Sequence, residues 1–170
     1  MGDVQNSKRT ERTRRLTTLA LGVAVAMLLS YIEAQLPSLA IPGVKLGLAN
    51  VAVMVVLYTV GIKEAIVVSV ARVFLISLLF GNPVSLIYGF SGAVFCLCLM
   101  ALLKSFSPFS PIGVSVAGGV AHNVGQICAA CVIMGTSAVA YYLPVLLISG
   151  TISGIAVGVC SGIIIRKIRV

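Results

Sequence analysis

The chain has 170 residues, of which 59% are hydrophobic and 9% charged, with a formal net charge of +8 and a mean hydropathy of +1.15. A soluble domain of this length does not carry that composition, and no long alternating pattern suggests a membrane β-barrel; what fits is a compact all-α membrane bundle of about six helices, at roughly 20 residues per crossing. The cations sit at the two ends and in short loops, as topology signals do, which excludes the groove or stripe expected of a nucleic-acid binder.

Residues 1–12 form a basic arm, and residues 13–170 are read as one transmembrane domain. Lys8, Arg9, Arg12, Arg14 and Arg15 favour anionic lipid head groups. The apolar run from Leu16 to about Ile32 has no obvious small-residue cleavage site, so it reads as a retained first helix over about 13–35. Ala20 and Ala24 form a small-xxx-small face, extended by Ala26, suited to close contact with another helix. Glu33 is either a solvated end charge or part of a site.

The segment 36–47, LPSLAIPGVKLG, is an apolar loop punctuated by Pro37, Pro42 and Gly43, and it reads as a lid whose one charge is Lys45. A short helix follows over about 46–60, with Asn50 in its first turns. GIKE, 61–64, is read as a turn. A third helix over about 65–80 holds Arg72 among Val, Ala, Phe and Leu. An arginine at that depth is costly unless it turns inward, snorkels, pairs with a carboxylate such as Glu64, or meets an anionic ligand. An internal role is favoured.

Gly81-Asn82-Pro83 is a turn. The fourth helix, about 84–103, carries Tyr88, Ser91 and Gly92 on one face. After the Ser/Pro linker 105–111 comes GVSVAGGVAHNVGQICAACVIM, 113–134, whose centre holds His122, Asn123 and Gln126 among glycines. His122 and Gln126 share a face at i, i+4. Such groups either bridge helices or face a polar site. The turn GTSA, 135–138, leads to a sixth helix near Tyr141-Tyr142, with Gly150, Gly154 and Gly158 spaced for tight packing.

Six helices put both termini on one side, together with Lys63 and Lys104. The opposite side keeps Lys45 alone, so both termini are expected in the cytoplasm of a bacterial cell membrane. Cys128 and Cys131 lie on one helical face but lack a second ligand pair, and the five cysteines read as packing residues. There is no phosphate-binding G-x-x-x-x-G-K-[ST] motif, a single aspartate (Asp3), no second histidine and no Ser-His-Asp set. No catalytic residue, metal or cofactor is therefore assigned, and binding and translocation remain.

Three motifs, IPGVKLGLANV (41–51), ARVFLISLLFGNPVSLIYGFSG (71–92) and GGVAHNVGQ (118–126), make the sequence resemble the bacterial Gx transporter family, also known as heptaprenyl diphosphate synthase component I. In architecture that family is similar to the substrate-binding S components of energy-coupling factor (ECF) importers. The resemblance implies a six-helix, non-catalytic chain that binds a small cofactor precursor, such as a flavin or another vitamin-like molecule. It implies docking through Ala20 and Ala24 on a transmembrane coupling subunit with two ATPases. The polar candidates for the substrate are Arg72, His122, Asn123, Gln126 and Asn50, with Lys45, Tyr88 and Tyr141 at the rim. The alternatives are a membrane accessory subunit of prenyl diphosphate or quinone synthesis, and a structural subunit of a membrane redox complex.

Overall fold

The structure, a computed structural model, describes residues 2–35, 47–106 and 109–168. The expected lid, with Lys45, lies outside these residues apart from Gly47. Six α-helices account for nearly all of the described chain, and no strand occurs among the described residues: α1 (Gly2–Gln35), α2 (Leu48–Thr59), α3 (Ile62–Phe80), α4 (Pro83–Ser105), α5 (Pro111–Met134) and α6 (Leu143–Ile168).

Several boundaries move from their expected positions, each for a local reason. The basic arm is not separate from the first helix, because nothing from Asp3 onward breaks it. Lys, Arg and Glu are good helix formers, and Thr10, Thr13, Thr17 and Thr18 each return their hydroxyl to the carbonyl four residues back. GIKE is not a turn: α3 begins at Ile62, directly after Gly61, so Glu64 falls in its first turn. A carboxylate there complements the helix dipole. α4 starts with a full capping box, in which Ser85 N–H donates to the Asn82 side chain at 2.8 Å and Asn82 N–H donates to Ser85 Oγ at 3.0 Å, with Pro83 at the first position. Ser110 and Pro111 start α5 in the same manner, and Gly135, with φ 62°, ends it. Tyr141 and Tyr142 close a 3₁₀ turn, Ser137–Tyr142, just ahead of α6.

Helices α2, α3, α4, α5 and α6 close a ring through successive neighbours, and α1 lies outside it against α2 and α3. Only 6% of the apolar window of α1 is buried. It touches the ring through Leu19, Val23 and the fully buried Ala26, and through Gly22, which lies close to Val56 and Val68. Ala26 therefore does not extend the exposed Ala20 and Ala24 face; it points the other way.

Tertiary contacts divide the bundle into two ends. At one end the amino-terminal half of α1 meets the start of α3, where Arg15 reaches Glu64. At the other, Tyr31 near the end of α1 packs on Phe80 at the end of α3, with ring centroids 5.2 Å apart. Toward the first end Val56 and Leu57 of α2, Ala65 and Val68 of α3, Cys96, Leu97 and Met100 of α4, Val114 of α5 and Val157 of α6 form one apolar cluster, and Glu64, Ser69, Ser115 and Ser161 are buried in the same half. Among the described residues four helices are long and apolar enough to cross a membrane: Arg9–Gln35, Pro83–Ser105, Pro111–Met134 and the unit Ser137–Ile168, which takes in the 3₁₀ turn. α2 has only 12 residues. α3 has 19 and contains Lys63, Glu64 and Arg72.

Glycine sets the distance between α5 and α6. A Cβ on Gly154 would lie 2.6 Å from Val116 Cα, one on Gly158 would lie 2.8 Å from Ile112 Cα, and one on Gly119 would lie 2.5 Å from the Gly150 carbonyl oxygen. The four-residue glycine spacing of α6 thus does what its pattern suggests, bringing two backbones into direct contact. In lipid, van der Waals packing of this kind takes over from the hydrophobic effect as the force between helices.

Candidate functional site

Most of the polar side chains that the sequence proposes for the site lie in the middle of the bundle or toward its second end. α2 enters there at Gly47, whose φ of 70° needs a glycine and whose missing side chain leaves the helix without a cap of its own. Glu33 of α1 supplies the cap. Its carboxylate accepts the Gly47 N–H at 2.6 Å and the Leu48 N–H at 3.1 Å. An anion at a helix N-terminus satisfies orphan donors and complements the dipole. Glu33 is thus neither a free end charge nor, through these two contacts, a ligand group. At the opposite end of α2, Lys104 of α4 donates to the Leu57 carbonyl and lies 5.4 Å from the Tyr58 ring centroid. The shortest helix is held by an acid at its start and a base at its finish.

Arg72 does not pair with Glu64. That carboxylate, only 8% exposed, meets Arg15 of α1 at 2.6 Å. Arg72 turns inward, and its Nε is buried with no hydrogen-bond partner among the described residues. Its neighbours include the Cys96 thiol of α4 and the Glu33 carboxylate of α1. Buried polar groups without partners are rare and costly, and a guanidinium is the costliest of them.

His122 lies flat on Gly92 of α4: a Cβ there would come within 2.8–2.9 Å of three ring atoms. Cys96 is one helical turn from Gly92, so Arg72 and His122 approach the same stretch of α4 from α3 and α5. Next to them Ser91 Oγ donates to the Gly125 carbonyl at 2.7 Å, locking α4 to α5. Asn123 points the other way round α5 and donates to the Leu146 carbonyl of α6 at 2.5 Å. Its amide donor is engaged in helix packing. Gln126 and Tyr88 are half-buried at this end, and Asn50 is half-buried with its amide beside Gly47. Tyr141 is 90% exposed and stands apart from the interior group. Ala20 and Ala24 are exposed on the outer face of α1.

The structure thus brings Arg72 and His122 to one interior stretch and leaves Gln126, Tyr88 and Asn50 at the same end of the bundle. It adds Cys96, which the sequence leaves among the packing residues, and it gives partners to Glu33, read there as an end charge or part of a site, and to Ser91, placed there on one face with Tyr88 and Gly92. No local signal marks these pairings: Glu33 reaches across 14 residues to its partner and Ser91 across 34. Among the described residues, no three His, Cys, Asp or Glu side chains come together as metal ligands. The cysteines are all free.

A ring of apolar helices with an outlying first helix, four of the described helices long and apolar enough to cross a bilayer, defines an all-α membrane protein, and it holds a group of half-buried polar side chains. The chain belongs to the heptaprenyl diphosphate synthase component I family, whose family model matches residues 23–164. No curated protein and no solved structure matches it.

Proposed function

We propose that the chain is the substrate-binding membrane component of an energy-coupled importer for a small cofactor precursor, a flavin or another vitamin-like molecule with an anionic or carbonyl-rich part. The observation that carries this reading is the buried, unpartnered Nε of Arg72. A cation held in oil without an acceptor is stabilised when a ligand supplies one. His122, Gln126, Asn50 and Tyr88 supply further polar contacts in this reading. The chain itself catalyses nothing in this reading: of its two acids within the bundle, Glu33 caps α2 and Glu64 pairs with Arg15. Energy comes from a coupling subunit with an ATPase pair, docked on the exposed Ala20 and Ala24 face of α1. The basic residues collected at one end support a reading in which both termini face the cytoplasm of a bacterial cell.

The family name favours a second reading, a non-catalytic membrane subunit of prenyl diphosphate synthesis that holds the isoprenoid in the bilayer and its diphosphate at Arg72. Affinity capture from the native membrane separates the two. An ATPase pair with a shared membrane subunit supports the importer, and a soluble prenyl synthase supports the accessory subunit.

A further inference from the structure

The outer face of α1 carries an open groove, separate from the Arg72 interior and on the same side of the helix as Ala20 and Ala24. Asn6, Arg9, Thr10, Thr13, Arg14, Thr17, Thr18 and Leu21 line one open groove. Their spacing of three and four residues keeps them on one side of the helix. That side lies opposite Leu19, Gly22, Val23 and Ala26, through which α1 meets the ring. The groove therefore faces away from the bundle over about 22 Å of helix.

Its chemistry changes along its length. Arg9 and Arg14 stand in the polar part, with no ion-pair partner among the described residues; the neighbouring Arg15 is taken by Glu64. The four threonine hydroxyls all donate to backbone carbonyls of their own helix. They present methyl groups and already-satisfied oxygens, and leave the two guanidinium groups as the charged donors. Leu21 closes the groove where α1 becomes apolar and exposed, with Leu28 beyond it, 64% and 59% exposed respectively. Two guanidinium groups lining one groove that runs onto an apolar helix face, near where a membrane-crossing helix leaves the hydrocarbon, suit a phosphate joined to an acyl chain.

We propose that this groove binds the phosphate head group of an anionic membrane lipid, with Arg9 and Arg14 on the phosphate and Leu21 against the start of the chain. At about 1 kcal/mol per cation near an anionic surface, removing both arginines weakens retention about 30-fold.

The test uses the full chain in mixed micelles of phosphatidylglycerol and phosphatidylcholine, with bound lipids counted by native mass spectrometry. The wild type retains phosphatidylglycerol over phosphatidylcholine, and inorganic phosphate does not displace it. The pair Arg9→Gln and Arg14→Gln loses that preference. The pair Arg166→Gln and Lys167→Gln, which removes the same charge from the last turn of α6, keeps it. Equal losses in the two double variants would show general charge attraction and overturn the site. So would equal retention of the two lipids by the wild type, or displacement by inorganic phosphate.

Discussion

The Glu33 carboxylate closes the start of α2 from a different helix, accepting the Gly47 N–H at 2.6 Å. Helix α2 is too short to be stable alone and carries no side-chain cap of its own. Glu33→Ala removes both hydrogen bonds and the charge at the helix N-terminus, and the expected loss is about 1–2 kcal/mol. Glu33→Gln keeps an acceptor and loses less. Thermal unfolding in detergent, followed by circular dichroism, checks the order wild type, Gln, Ala.

The Arg15–Glu64 pair tethers α1 to the base of α3. Arg15 is 63% exposed and Glu64 only 8%, so solvent screens one partner and the coupling is small, about 0.5–1 kcal/mol. A double-mutant cycle with Arg15→Gln and Glu64→Gln measures it. The coupling should fall at high salt. Glu64→Gln alone is tolerated better than Glu64→Leu, which leaves Arg15 facing an apolar surface.

Two glycines of α6 predict opposite outcomes for the same substitution. Gly154→Ala puts a Cβ 2.6 Å from the Val116 Cα, where backbone cannot yield, and should cost about 1–3 kcal/mol as α5 and α6 separate. Gly162 has nothing within 4 Å of its would-be Cβ. Gly162→Ala should be neutral, or stabilising by up to about 1 kcal/mol through helix propensity. Melting temperatures of the two variants in one detergent decide the point.

Gly92→Ala tests the position of the imidazole. The new methyl group would meet three atoms of the His122 ring at under 3 Å, so the ring must turn away from α4. The expected result is a folded bundle with weakened ligand retention, measured beside Gly162→Ala as a control for folding.

The helices were legible in the sequence because apolar runs, the Gly81-Asn82-Pro83 turn, the Ser/Pro linker and the GTSA turn separate them, although the fifth helix starts at Pro111, inside the stretch read as linker. The tight α5–α6 contact was legible from the glycine spacing of α6. The continuity of α1 was not: the chemistry of the arm, basic and rich in threonine, says polar surface and is silent on conformation. The acids were the least legible. Glu33 and Glu64 find partners 14 and 49 positions away, and Lys104 reaches back 47 to Leu57. Those pairings come from the order of helices round the ring, which no local pattern encodes. Arg72 stood out because its cost in lipid is a property of the residue itself. The stretch of α4 it shares with His122 had to be seen in three dimensions.

Native mass spectrometry of the detergent-purified chain, with small molecules released and weighed, tests the central claim most directly. The account predicts a small anionic or carbonyl-rich molecule bound to the wild type and to Gly162→Ala. It predicts that the same molecule is absent from Arg72→Gln and depleted in His122→Ala, while both variants keep the helicity of the parent. Full occupancy of the ligand in both the Arg72 and His122 variants would contradict it.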